Sequence, residues 1–232
     1  MLFANRIDAG RKLALEVEHY LAGIAGGIPK SDVVVVGLPR GGVPVALEVS
    51  RRLACPLEVI VAKKLPFPNE PEYAIGAVCT GGIVVLNPAI PQSSEWNEYI
   101  DRQKRLLLAS VQKREDEFYR SARRYRTPLA KKIAIIVDDG LATGMTALAA
   151  IEAVKQRGAM RVILAIPVAS RESYSLLSQH CTAVIALQIP EVFESVGQFY
   201  RDFTPTSDEE VVRELAESIG LDDCPKDLKS VG

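Results

Sequence analysis

Apolar residues along the chain follow two alternating rhythms. Four short runs rich in valine and isoleucine are apolar at nearly every position: VVVVG (33–37), LEVIVA (57–62), IAIIV (133–137) and RVILAIPV (161–168). That is the pattern of strands buried on both faces of a sheet. A fifth run, TAVIALQI (182–189), is similar. Between them lie stretches of helical period. GVPVALEVSRRLA (42–54) sets Val45, Val49 and Leu53 on one face, and GMTALAAIEAVKQRG (144–158) spaces Leu148, Ile151 and Val154 in the same way, with Gly158 as a stop. SRESYSLLSQH (170–180) opens on Ser170 as an N-cap. Strands alternating with helices predict an α/β fold, an open and mostly parallel five-stranded sheet with helices on both faces.

The rhythm breaks over residues 63–90. KKLPFPNEPEYA is proline-rich, and Thr80-Gly81-Gly82 separates two apolar runs as a hairpin turn would. A small antiparallel flap is expected there. A long charged helix follows, about 94–124, with an apolar stripe through Leu106, Leu107 and Val111 and an otherwise solvated surface that could contribute to a homodimer. At the start, Asn5 can cap a helix over 6–22 with Ile7, Leu13, Val17 and Leu21 inward. Near the end, Ser207 and Glu210 form a capping box for a helix over 208–219 that stops at Gly220. The expected organisation is a single domain over 1–220, with its core at about 31–190, and a frayed tail at 221–232.

Composition narrows the functional classes. A net charge of −1 gives no overall attraction for nucleic acid or an anionic membrane. No apolar run approaches the roughly 18 residues that cross a bilayer, and MLFANRIDAGRKLALEVEHYL lacks the form of a signal peptide. Cys55, Cys79, Cys181 and Cys224 make no CxxC pair, so reduced thiols in a cytoplasmic protein are expected. His19 and His180 lie in helical contexts and join no legible catalytic triad.

Ligands of open parallel sheets bind beyond the carboxyl ends of the strands. Two loops there carry unusual chemistry. In IIVDDGLATGMT (135–146) the strand ends on Asp138 and Asp139, and Gly140, Leu141, Ala142, Thr143, Gly144 and Thr146 follow. Small residues before a helix let several backbone N–H groups converge into an anion cradle, with Thr143 and Thr146 adding hydroxyls. The Lys-Ser/Thr pair of a Walker A loop is missing. The two carboxylates need another target, such as hydroxyls or Mg²⁺. A sugar phosphate offers both features. The alternative is a plain strand-to-helix turn with capping aspartates. The second loop, GLPRGG, runs from Gly37 through Pro39, Arg40 and Gly41 to Gly42. Its glycines allow close backbone approach, and Arg40 carries a fork of donors for phosphate.

Four apolar residues, two acids and a small loop ending Thr-Gly-x-Thr resemble the 5-phosphoribosyl-1-pyrophosphate (PRPP) motif of type I phosphoribosyltransferases, with similarity over about 33–190. The resemblance implies transfer of ribose 5-phosphate from PRPP to a nitrogenous base with release of pyrophosphate, dependent on Mg²⁺. It also implies roles. Asp138 and Asp139 would face the ribose hydroxyls and help hold the metal, mainly through the ligand. The loop from Gly140 to Thr146 would hold the 5′-phosphate. Pro39, Arg40, Gly41 and Gly42 would bind pyrophosphate. Lys63 to Glu72 falls where the family has its mobile catalytic loop, which makes Lys63 and Lys64 candidates for the pyrophosphate. IPEVFESVGQFYRDF (189–203) resembles the base-stacking region of purine members, with Phe193 as the stacking ring and Arg201 reaching pyrophosphate. The stretch between them is shorter than in those members and lacks an acid for the metal, and VAS at 168–170 carries no lysine to read a 6-oxopurine. A non-catalytic regulator binding PRPP or a nucleotide remains the alternative, since the family fold serves both.

Overall fold

The computed structural model describes residues 1–24, 28–68, 70–87 and 94–218. The first half of the chain runs through α1 (Arg6–Ala22), β1 (Val33–Gly37), α2 (Gly42–Leu53), β2 (Leu57–Val59), β3 (Ala62–Phe67), β4 (Glu70–Cys79) and β5 (Ile83–Leu86). The second half adds α3 (Ser94–Ala122), β6 (Ile133–Val137), α4 (Met145–Gln156), β7 (Arg161–Val168), α5 (Arg171–Ser178), β8 (Ala183–Gln188) and α6 (Asp208–Glu217).

Five strands form one wholly parallel sheet in the order β2-β1-β6-β7-β8. Alternate residues of each central strand feed opposite cores. Val33 and Val35 of β1 pack with α1, α2, α3 and α6, while Val34 and Val36 pack with α4 and α5. That is why the strand sequences show no polar alternation. From β1 the chain steps outward to β2, then returns to β6 on the other side. The sheet therefore reverses its winding between β1 and β6, the switch point at which open α/β sheets bind ligands. Gly37 pairs with Val137 at the ends of these two strands, so the loops that follow start side by side.

The run LEVIVA is not one strand. It supplies β2, turns at Ile60 and Val61, and enters the flap as β3. The run hides this turn because Ile60 and Val61, at the turn itself, are each demanded apolar by one of the two cores. The flap is a three-stranded antiparallel sheet, β3-β4-β5. Thr80–Gly82 makes its second turn, with positive φ at Gly81 (81°) and Gly82 (82°). The proline-rich segment belongs to the first hairpin, and the ladder shifts register on either side of Pro66, which has no N–H to donate. Glu115 of α3 anchors both flap junctions. Its buried Oε2 accepts from the Val61 N–H at 3.0 Å and the Thr80 hydroxyl at 2.7 Å.

The helices hold close to their expected bounds. Asn5, Ser170 and Ser207 cap α1, α5 and α6 through their side chains, and Ser207 with Glu210 completes the capping box. Two faces differ from expectation. Ile7 is 43% exposed and Leu106 is 63% exposed. The buried stripe of α1 runs through Ala9, Gly10, Leu13, Ala14 and Val17, and that of α3 through Ile100, Val111 and Phe118. α4 is buried almost all round, because the flap covers the side turned away from the main sheet. The expected end of α6 at Gly220 and the tail at 221–232 lie outside the described residues. No helix among the described residues is long and apolar enough to cross a membrane.

α6 yields a pH-dependent expectation. The Oε2 of Glu214 is buried without a hydrogen-bond partner among the described residues, and burial pushes this carboxyl up to about 7. A carboxyl raised in the folded chain favours folding while it is protonated. That contribution is complete below the ordinary glutamate range, about 4.3, and is lost as pH rises through about 7. Glu214→Gln is expected to raise the urea midpoint at pH 8 and to leave it nearly unchanged below about pH 4. Equal shifts at the two pH values would contradict this assignment.

Candidate functional site at the sheet switch point

The loop after β1 closes on itself. The Gly42 N–H donates to the Leu38 carbonyl at 3.0 Å and the Val43 N–H to the Arg40 carbonyl at 3.1 Å, while the Leu38 N–H reaches across to the Val137 carbonyl at 3.0 Å. Its two glycines lie against the two aspartates of the neighbouring loop. A Cβ on Gly41 would stand 2.0 Å from Asp139 Oδ2. A Cβ on Gly42 would stand 2.8 Å from both the Asp138 Cα and the Val137 carbonyl oxygen. Glycine is thus required at both positions for the loops to touch.

The loop after β6 is fixed through its carbonyls. The Ser170 hydroxyl donates to the Ala142 carbonyl at 2.8 Å, and the Ser173 hydroxyl to the Leu141 carbonyl at 3.3 Å. Leu141 is buried, and its N–H is taken by the Val168 carbonyl at 2.9 Å, so it offers no amide to a ligand. The N–H groups of Gly140, Ala142, Thr143 and Gly144 have no partner among the described residues. They adjoin the open first turn of α4, which Gly144 starts at φ 73°. Thr143 is exposed and Thr146 partly so. Held carbonyls, free amides and a helix N-terminus together favour an anion.

The acids sit beside this cradle. Asp138 accepts the Asp139 N–H at 2.9 Å. Burial, and then the charge of Asp139, push the Asp138 carboxyl well above its ordinary range. Burial also raises Asp139, opposed by the guanidinium of Arg6. Arg6 Nε lies 2.8 Å from Asp139 Oδ2, with side chains only 11% and 14% exposed. The Tyr200 hydroxyl donates to the Asp139 carbonyl at 2.6 Å. Val196 covers Gly140, where a Cβ would meet it at 2.5 Å.

The segment after β8 therefore lies against the Asp139 loop, with Phe193 half-buried against Phe199 at a ring separation of 5.5 Å. Arg201 is exposed and, among the described residues, donates only its backbone N–H, to the Phe3 carbonyl. Arg40 is 48% exposed and extends toward Asp208, 4.0 Å away. Lys64 is exposed on β3 and makes no hydrogen bond or ion pair with either loop among the described residues. The Lys63 ammonium is engaged by the Ser110 hydroxyl at 2.6 Å. The flap lysines are thus not gathered at the paired loops. Three contributors escape the sequence reading: Arg6, Tyr200 and Ser173. Arg6 had a signal, since 6, 10, 13 and 17 fall on one helical face and the last three are buried.

Residues 4–204 match the family model described as phosphoribosyl transferase domain. The chain belongs to the phosphoribosyl transferase family. A Mycobacterium tuberculosis protein named "Putative phosphoribosyl transferase" is 42% identical over 229 residues, covering 95% of this chain and 49% of that protein. The chain thus spans about half the length of the curated relatives it matches. Among solved structures, TT1426 from Thermus thermophilus is similar with a TM-score of 0.78 and 38% identity, over 95% of this chain and 100% of that one. The AQ2163 protein from Aquifex aeolicus shares the fold, with a TM-score of 0.50 and 13% identity over 93% of this chain and 87% of that one. The phosphoribosyl transferase domain thus joins a wholly parallel five-stranded sheet to a small antiparallel flap.

No cluster of three or more acidic, His or Cys side chains suited to a metal occurs among the described residues. Two carboxylates suit Mg²⁺ held partly by a phosphate ligand and water, and do not make a protein-only cage.

Two outcomes follow from this packing. Gly42→Ala forces a Cβ onto backbone atoms and is expected to lower stability by about 1–3 kcal/mol. Gly23→Ala, at φ −76° with nothing nearer than 3.5 Å, should stay within about 0.5 kcal/mol of wild type. Urea midpoints of the two variants compare them directly. The raised acid pair favours the fold while protonated and loses that contribution as pH rises from about 4 through its raised range. Asp138→Asn keeps an acceptor for the Asp139 N–H and removes the buried charge. It should raise the melting temperature of the ligand-free protein at pH 7, and a lower one would contradict the cost assigned to burying the acid pair.

Proposed function

We propose that this domain is a Mg²⁺-dependent phosphoribosyltransferase that moves ribose 5-phosphate from PRPP to a nitrogenous base. The observation that carries this reading is the contact between two unlike loops. One loop, carrying a carboxylate pair and an amide cradle, leaves β6 and meets the glycine loop bearing Arg40 that leaves the adjacent β1. In this reading the amides from Gly140 to Thr146, other than that of Leu141, hold the 5′-phosphate. Asp138 and Asp139 accept hydrogen bonds from the ribose hydroxyls. Arg40 and the Pro39–Gly42 backbone receive the pyrophosphate. Mg²⁺, when bound with PRPP, supplies charge neutralisation to the leaving pyrophosphate.

The chemistry needs no protein nucleophile. A ring nitrogen of the acceptor forms a bond to the anomeric carbon as the bond to the pyrophosphate oxygen breaks, and the leaving group departs with that electron pair. Positive charge then gathers on the sugar, close to two carboxylates, and negative charge gathers on pyrophosphate, close to Arg40. Phe193 offers a face for stacking, which accepts many bases and selects none. The position of Lys63 and Lys64 away from the loops favours a second reading, a regulator that binds PRPP or a nucleotide without turnover.

Calorimetric titration of PRPP with Mg²⁺ into wild type and into Asp138→Asn/Asp139→Asn separates these readings. Wild type should bind, and the double variant should lose at least about tenfold in affinity, roughly 1.4 kcal/mol. Pyrophosphate release with one member of a panel of bases identifies the transferase, and binding without release identifies the regulator. Absence of PRPP binding by the wild type would sink both.

A further inference from the structure

We infer that Arg6 is the positioning residue of the ribose site, fixing Asp139 so that recognition of the sugar diol depends on the first helix. This inference rests on the phosphoribosyl reading given above.

Arg6 is held at three points. Its Nε donates to Asp139 Oδ2 at 2.8 Å, its Nη1 donates to the Thr204 carbonyl at 2.7 Å, and its guanidinium lies 4.0 Å from the centroid of the Phe203 ring. The backbone that carries it is equally constrained. Asn5 caps α1 by accepting the Asp8 N–H, and the Asp8 carboxylate in turn accepts the Ala4 N–H. Residues 3 and 4 run beside 199–202, with the Phe3 N–H donating to the Phe199 carbonyl at 2.8 Å and the Asp202 N–H to the Ala4 carbonyl at 3.0 Å. The same strap carries Tyr200, whose hydroxyl holds the Asp139 backbone.

Asp139 is thus gripped at its carboxylate by Arg6 and at its carbonyl by Tyr200, with Gly41 packed against Oδ2, the oxygen that Arg6 holds. A Cβ on Gly41 would also stand 3.0 Å from Arg6 Nε, so the guanidinium sits where the two loops meet. Two adjacent carboxylates repel a phosphorylated ligand. One guanidinium bound to the outer carboxylate offsets half of that charge and leaves Asp139 Oδ1 to accept from a hydroxyl. Arg6 thereby joins the two roles of the motif without touching the ligand. A residue serving only the fold would support the phosphate cradle and the diol site alike, and this difference makes the inference testable.

The experiment uses ribose 5-phosphate and inorganic phosphate as calorimetric probes of wild type, Arg6→Met, Arg6→Lys, Asp139→Asn and the Arg6→Met/Asp139→Asn double variant. Arg6→Met is expected to weaken ribose 5-phosphate about tenfold or more and inorganic phosphate by a clearly smaller factor, since phosphate loses only the charge compensation and ribose 5-phosphate also loses the positioned diol acceptor. Arg6→Lys should recover part of the loss, because it keeps the charge and one donor. In the Asp139→Asn background, Arg6→Met should cost nothing further for ribose 5-phosphate. Equal loss of both probes in Arg6→Met, or full additivity in the double variant, would overturn the inference. Wild-type binding of ribose 5-phosphate retained unchanged in Arg6→Met overturns the role of Arg6 and leaves the phosphoribosyl reading standing. A wild type that binds neither probe nor PRPP overturns both. If Arg6→Met does not fold by circular dichroism, Arg6→Lys decides, since loss of the guanidinium fork must still weaken ribose 5-phosphate more than phosphate.

Discussion

The site depends on one piece of register, the pairing of Gly37 with Val137 at the ends of two adjacent parallel strands. Because β1 and β6 end level, the loops beyond them start side by side. A shift of one residue would turn every side chain of one strand to the opposite core. The register is held from both faces, since Val33 and Val35 belong to one core and Val34 and Val36 to the other. Packing remote from the site therefore sets the distance between an anion cradle and an arginine-bearing loop.

That closeness has an electrostatic cost. Two neighbouring carboxylates are brought together in a site shaped for an anion, and burial disfavours their ionised forms. The surrounding structure answers with hydrogen bonds and one guanidinium, and with carbonyls turned away onto Ser170 and Ser173. The free amides of the loop are what that arrangement leaves over. Stability is given up where binding is needed, a common feature of functional sites.

The strands and the paired loops were legible in sequence because each follows a local rule. β1 and β6 are unbroken β-branched runs, and the glycines and aspartates at their ends have few other uses. The position of Arg6 was not legible in the same way. Leu13 and Val17, read as inward, share their helical face with Arg6, but the apolar Ile7 reads as inward in place of its charged neighbour, and the structure leaves Ile7 exposed. An arginine in the first turn of a helix resembles a solvated charge until its partner, more than a hundred residues away, is known. The division of LEVIVA between β2 and β3 was hidden for the opposite reason, since no polar residue marks the turn. The two lysines of the flap read as phosphate ligands from their place in the chain, yet the antiparallel pairing of β3 with β4 sends Lys63 to Ser110 of α3.

α4 carries the first turn of the anion cradle and is enclosed between the main sheet and the flap. Most of its residues are small or aliphatic, and Ala147, Ala149, Ala150 and Ala153 are all buried. A helix with one wet face can accept drift in half of its sequence. In this one eight of twelve residues are buried, and Thr146, Glu152, Lys155 and Gln156 alone reach solvent among the described residues, so a change at most positions must fit packing from the sheet on one side and the flap on the other. Over long divergence α4 should keep its volume more strictly than the half-exposed α1, even at positions several turns from any ligand. The helix whose first turn adjoins the free amides is then also the part of the domain least free to vary.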